Sequence, residues 1–420
     1  MRKESQGKMK QLYSLYTVLA PGALFVALSV SQGTVVWAQT IPVQLWVTTS
    51  STTGVTFGLK QQPNLRFGSD INDGVAAIDV DDTKVFQTME GGGASFTDSA
   101  AWLVNEKLSP AVRDQVMQKL FDAKAGIGLS FLRNPMGASD LTRTEYTYDD
   151  DASDKADSSL PHFSIAHDLA DILPLTKMAR RLNPSLRLMM VPWSPPAWMK
   201  DNNSLVHGDI LPQFYPHLTN YFLRTMESAI RTSPFVAGVA YHDNHNVFGA
   251  EAFFTERTGS IRNSTTVQHG KDMNLMIGVF RNWGRTFVKW PVAADENQGP
   301  HLGGCATCTG LITVHTHTKD TQGQVEYRIE YYTMGHYTKF VPVGASHIDS
   351  TASDNVLNAA FKNPDSSLVL IAYNNTNEAQ PFKVRWHSRV FRYTLPVNTS
   401  ATFRWPGAHD NAAISGYGIQ

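Results

Sequence analysis

Between residues 41 and 80, apolar and polar side chains alternate with many Thr and Ser among them, as in Val43-Gln44-Leu45-Trp46-Val47. A period of two predicts edge or sandwich strands rather than helix. From Val85 the pattern becomes strand, turn and helix. Val85-Phe86-Gln87 runs into Gly91-Gly92-Gly93-Ala94-Ser95-Phe96-Thr97-Asp98, and Leu103, Leu108, Val112, Val116 and Leu120 then share one face of an Ala-rich helix. No Gly-Lys-Ser/Thr follows the glycines, so they predict close backbone packing at a strand end, not a phosphate cradle.

A second strand, Gly128–Leu132, ends in Arg133-Asn134-Pro135-Met136-Gly137-Ala138-Ser139-Asp140. The acidic tract Asp149–Asp157 reads as a solvated loop. A helix over Ala166–Leu182 leads to a third strand, Leu186–Val191, ending in Pro192-Trp193-Ser194-Pro195-Pro196-Ala197-Trp198-Met199-Lys200. Prolines this dense predict a rigid loop that holds Trp193 and Trp198 with little freedom. Another helix runs from about Phe214 to Ile230. Strands alternating with helices predict a parallel β/α barrel.

After Ile230 the rhythm breaks. Val236–Tyr241 and Ala252–Thr255 both read as strands, but only about ten residues separate them, with no helical pattern between. A parallel crossover needs at least about 10–12 residues including its helix. A helix at Met273–Trp283 and a strand at Thr286–Ala293 resume the alternation. The tail carries short strands at sandwich spacing, among them Val369–Tyr373, Phe382–Trp386 and Phe391–Leu395. The expected architecture is an α/β chain, a (β/α)8-type TIM barrel that is incomplete, with an attached β-sandwich. Residues 39–84 supply N-terminal sandwich strands, 85–340 the barrel and 341–420 the C-terminal sandwich.

Composition adds bounds. The chain has 420 residues and a net charge of −1, which gives no electrostatic case for nucleic acid. Arg2, Lys3, Lys8 and Lys10 precede an apolar run from Leu12 to Val30, and Val36-Trp37-Ala38 ends in a signal-peptidase pattern. This predicts a signal peptide over 1–38 and a secreted, extracellular protein with no membrane span after cleavage; an uncleaved anchor is the competing reading. Sequons at Asn202, Asn263, Asn374 and Asn398 fit secretion. Cys305 and Cys308 are the only cysteines. In an oxidising compartment a local disulfide fits them better than a metal site or redox pair. No cofactor and no metal are expected, and the chain is read as a monomer.

The candidate chemistry begins at Ala252-Phe253-Phe254-Thr255-Glu256-Arg257-Thr258-Gly259, a short buried strand delivering a carboxylate to a rim. Taken in order, Gly92–Asp98, Leu132–Asp140, Pro192–Lys200 and Phe254-Thr255-Glu256 resemble glycoside hydrolase family 30, which includes glucosylceramidases and fungal-type endo-β-1,6-glucanases. Gly299-Pro300-His301-Leu302-Gly303-Gly304-Cys305 through Gly310 looks like the β-1,6-glucanase side. The resemblance spans about Val43 to the C-terminus. It implies a retaining β-glycosidase acting on a β-glucan or another glucoside, with Glu256 as nucleophile. Asp140, Trp193 and Trp290 match sugar-contacting positions, and Arg133 matches a supporting arginine. His242 falls at the end of strand six, although Asn244 stands where the family carries an aromatic and Pro291 where it carries Asn.

Retaining hydrolysis needs a second carboxylate, an acid/base about 5–5.5 Å from the nucleophile. The family supplies it as a Glu directly after an Asn at the end of strand four. No Asn-Glu pair lies between Ile230 and Val236. The segment spanning strands four and five is therefore expected to be absent, as is the helix between strands six and seven. Two functions follow: a secreted β-glucosidase or β-1,6-glucanase whose gene model is incomplete, or a glucan-binding relative that keeps Glu256 without its partner.

Overall fold

The computed structural model describes residues 41–232, 253–254 and 258–407. The expected signal peptide, the Val236–Tyr241 strand, His242 and Glu256 all lie outside them. Four strands open the described chain: β1 (Pro42–Ser50), β2 (Val55–Arg66), β3 (Gly68–Ser69) and β4 (Ala77–Thr88). The barrel begins with β5 (Gly91–Ser95), α1 (Asp98–Glu106), α2 (Pro110–Phe121), β6 (Phe131–Met136), α3 (Ile172–Leu182), β7 (Arg187–Pro192), α4 (Tyr215–Thr232) and β8 (Phe253–Phe254). It continues through β9 (Gly259–Ser260), α5 (Thr265–Arg281), β10 (Thr286–Pro291), β11 (Ala293–Asp295), β12 (Cys308–Thr309), β13 (Ile312–Val314), β14 (Val325–Tyr327) and α6 (Ile329–Thr338). The tail supplies β15 (Ser346–Ser350), β16 (Val356–Lys362), β17 (Leu368–Asn374), β18 (Gln380–Trp386), β19 (Arg389–Leu395) and β20 (Thr399–Trp405).

Two differences from the sequence pattern have local causes. The helix after β5 is two helices, because Ser109 caps α2 through its side chain and Pro110 occupies the first turn, where its missing N–H costs nothing. Residues 85–88 belong to the sandwich: β4 pairs with β15 as far as Thr88, and the barrel takes over only at Gly91.

Five strands form one all-parallel sheet in the order β7-β6-β5-β10-β8. β5, β6 and β10 are buried along their whole length, as expected for strands covered on both faces. Gly93 meets the close-packing expectation, since a Cβ there would fall on the Phe131 carbonyl oxygen. The sandwich is a folded ten-stranded sheet in the order β2-β1-β20-β17-β16-β15-β4-β18-β19-β3. Along β17, Leu368, Leu370 and Ala372 enter its core, while Val369, Ile371 and Tyr373 join the barrel core. Both faces of that strand are buried, which explains why its sequence shows a continuous apolar run.

Polar ties join the two layers. His269 on α5 bonds Ser50 through Nδ1 and Ser400 through Nε2, at 2.9 and 2.7 Å. His336 on α6 bonds Thr402 through Nδ1 and Thr48 through Nε2, both at 2.8 Å. Burial pulls these imidazoles down to about 4 and about 3, so both are neutral. Behind β10, Lys289 makes two 2.8 Å bonds to the buried Asp272 carboxylate of α5.

Candidate active site

Parallel strands leave their C-terminal ends on one rim, and the side chains there follow strand alternation. On β6, Asn134 faces α3, bonding Thr176 at 3.2 Å, so Arg133 faces the other way. On β10, Lys289 faces α5, so Trp290 also faces the other way. These two inward side chains meet, with the Arg133 guanidinium carbon 5.1 Å from the Trp290 ring centroid. Arg133 therefore lies within the strand rather than in the loop beyond it, as its sequence context had suggested.

Asp140 sits in the loop after β6. Trp290 donates its indole N–H to Asp140 Oδ1 at 3.1 Å. The Asp140 carbonyl accepts from the Leu302 amide at 2.9 Å. Gly304 lies so close that a Cβ would stand 2.8 Å from that of Asp140. Cys305 and Cys308 are bonded to each other. Cys308 pairs in turn with Ser260 of β9, so the cysteine loop ties the Asp140 loop to the stretch just downstream of Glu256.

Trp193 follows Pro192, whose register partner on β6 is Met136, and is 42% exposed. Trp198 is buried instead, donating to the Asp149 carbonyl at 2.9 Å and packing edge-on against Phe214. Its role is to hold the proline loop. Phe254 pairs with Phe287, bringing β8 alongside β10 two residues before Glu256.

Asp98 ends the Gly92–Asp98 stretch, and its pattern in the sequence signals no role. It accepts from the Arg143 backbone N–H, from the Arg143 guanidinium at 2.7 and 3.0 Å, and contacts His167 Nε2 at 2.9 Å. Burial opposes ionisation, but the bonds from His167 and Arg143 outweigh it and hold the carboxyl well below the usual range. It anchors the loop that carries Asp140.

The acidic tract is not a solvated loop throughout. Asp149 and Asp154 are each 1% exposed, and burial together with the Asp154 charge pushes Asp149 up to about 7. Burial also raises Asp168, to about 6, and Glu330. A general acid needs a raised pKa and access to the leaving oxygen. Asp149, Asp168 and Glu330 have the first without the second, since all are buried.

Of the sequons, Asn374 does not suit glycosylation: it is 1% exposed and its amide nitrogen donates to the Glu378, Leu395 and Pro396 carbonyls. Asn202 lies on an exposed loop, whereas Asn263 and Asn398 are partly buried. Among the described residues no group of His, Cys, Asp and Glu could hold a metal ion, and no helix is long and apolar enough to cross a membrane.

Residues 89–232 match the glycosyl hydrolase family 30 TIM-barrel domain, and residues 344–403 match that family's beta sandwich domain. An endo-1,6-beta-D-glucanase of Trichoderma harzianum is 24% identical, over 71% of this chain and 80% of its own length. A Caenorhabditis elegans protein carrying a glucosylceramidase name is 35% identical, over 36% of this chain and 29% of its own length. Among solved structures, an endo-beta-1,6-glucanase superposes with a TM-score of 0.72 at 21% identity, over 87% of this chain and all of the other.

Proposed function

We propose, from the premise that the chain belongs to glycosyl hydrolase family 30 and is a glycoside hydrolase, that it is a secreted enzyme hydrolysing β-1,6-glucan with retention. Glu256 is the nucleophile. The observation carrying this reading is the constellation of Asp140, Trp290 and Arg133 on the rim, tied through the cysteine loop to the stretch that follows Glu256. Asp140 supplies a carboxylate for sugar hydroxyls. Trp290 supplies an apolar wall, and Trp193, just beyond the end of β7, an exposed indole face. A glucan is favoured over a glucosylceramide because the likeness to the fungal glucanase covers 71% of the chain, whereas the nematode likeness covers 36%.

In the first step Glu256 attacks the anomeric carbon, the glycosidic C–O bond breaks, and the leaving oxygen takes a proton. In the second, water displaces the glycosyl ester and gives up a proton. The protonation is the weak step. The family's Asn-Glu pair is missing from its place, and general acid–base help is worth about 10²–10⁴-fold. An aryl glucoside with an acidic leaving group escapes that need, so its turnover exceeds that of the glucan.

The second reading, a glucan-binding relative without hydrolysis, is favoured by the burial of the described carboxylates with raised pKa. One experiment separates the two. The purified chain and its Glu256→Gln variant are assayed on β-1,6-glucan and on an activated aryl β-glucoside. Aryl turnover abolished by the substitution supports the enzyme. Equal rates in both proteins rule out Glu256 as nucleophile, and no turnover with retained glucan binding supports the second reading.

A further inference from the structure

Trp283 closes α5 in an unusual way. Asn282 is the C-cap, and the Gly284 amide bonds the Val279 carbonyl at 2.8 Å, the long bond of a Schellman ending. The position between them requires a left-handed backbone and is usually glycine. Here it is a tryptophan at φ +66°, with its side chain 61% exposed. A bulky residue in this region is a conformational outlier. Neither backbone preference nor burial accounts for an indole here, which points to a role at the surface.

The surroundings define that role. Phe86 of β4 meets the Trp283 ring edge to face, 5.7 Å between centroids, and lies 5.3 Å from the His347 ring. Together they wall an open cavity of about 130 Å3. Its other side is polar. His347 Nε2 is buried without a hydrogen-bond partner among the described residues, and the Asp349 carboxylate is partly exposed. Arg281 is fixed by bonds to Ser350 Oγ and to the Ser350 and Asn358 carbonyls. Asp349 is paired with Lys84 at 3.1 Å and the Arg281 guanidinium is bonded to three oxygens of the chain, so both charged groups at the patch are already engaged. Two aromatic rings are also far less than the roughly 800 Å2 per partner that a stable protein interface buries. A neutral, polyhydroxylated ligand fits: its C–H face packs on the indole while its hydroxyls reach the partly exposed Asp349 carboxylate.

We infer that Trp283, Phe86 and His347 form a second carbohydrate-binding site for a β-glucan chain. It sits where α5 ends and β10 begins, on the opposite end of the barrel from the catalytic rim. A glucan held there keeps the enzyme on its polymer and raises the local concentration of cleavable bonds. The choice of glucan rests on the proposed function, but the site itself does not require catalysis.

Electrophoresis of the full chain through gels containing β-1,6-glucan tests the site. The native protein is retarded. Trp283→Gly and Trp283→Asn, which suit a left-handed backbone, keep or raise the thermal midpoint while weakening retention at least tenfold; Trp283→Tyr keeps most of it. Turnover of a small aryl β-glucoside is the same in all four proteins. Retention unchanged in the glycine variant, no retention of the native chain, or an indole-dependent dimer in place of glucan binding would each overturn the site. Trp283-dependent retention without any turnover leaves the site standing and sinks only the catalytic reading.

Discussion

Trp290 and Asp140, 150 positions apart in the chain, are joined by an indole-to-carboxylate hydrogen bond of 3.1 Å. The bond fixes the rotamer of a carboxylate on a loop by tying it to a strand that is buried throughout. Asp140 is thereby held in one orientation; under the proposed function it is fixed in advance of substrate, which is how a binding group contributes most.

Asp140→Ala should accordingly lower kcat/KM on an activated aryl β-glucoside about 100-fold, equivalent to roughly 2.7 kcal/mol. The fold should remain, with a thermal midpoint within a few degrees of the parent. Steady-state kinetics and calorimetry on the same preparation check both halves. A large fall in midpoint with unchanged kinetics would make Asp140 a structural residue.

The cysteine pair should matter more for activity than for stability. Its residues are three apart, and closing so short a loop removes little freedom from the unfolded chain. The double variant Cys305→Ser/Cys308→Ser should shift the midpoint by no more than about 2 °C. It should cost several-fold in turnover, because Leu302 and Gly304 position Asp140. Equal activity with an altered midpoint would contradict this.

Lys289 and Asp272 form a buried ion pair, with Gln268 also donating to Asp272 at 2.8 Å. Removing one partner strands the other charge, so Lys289→Met should destabilise by about 3–5 kcal/mol. Adding Asp272→Leu should recover part of that loss. Denaturant unfolding of both single variants and the double variant gives the coupling; additive losses would show that the pair is not coupled.

Acid should loosen the seam between barrel and sandwich. His269 and His336 titrate near 6.5 when unfolded but are pulled down to about 4 and about 3 by burial, with the nearby Asp272 charge opposing the shift at His269. Between about pH 6.5 and 4 the unfolded chain therefore binds more protons than the folded one, and stability falls as pH falls. The loss at pH 4 is on the order of several kcal/mol for the pair. Thermal midpoints of the native chain and of His269→Gln/His336→Gln should converge as the pH is lowered through this window. Parallel curves would rule out the two imidazoles as its source.

Much of the architecture was readable because its signals are local. Alternation marked β1, the proline loop marked the end of β7, and Ser109-Pro110 could have marked the start of α2. The β4 boundary was less readable, since Val85-Phe86-Gln87 suits either sheet and only pairing with β15 assigns it. The acidic tract was unreadable for a similar reason: charge density predicts solvent exposure, yet Trp198 donates to the Asp149 carbonyl and His162 bonds the Asp154 carboxylate through its amide and its ring.

By itself the amino-acid sequence determined the barrel-and-sandwich class, the family resemblance and the residues that serve as site candidates, because strand period, turn chemistry and motif spacing are properties of neighbours in the chain. Tertiary structure alone decided which candidates meet. It set Arg133 over Trp290, hung Asp140 between Trp290 and the cysteine loop, and left Trp283 in the open on a glycine's backbone. Those relationships depend on strand order and on which face each side chain takes, and a linear pattern specifies neither until the strands have packed around their core.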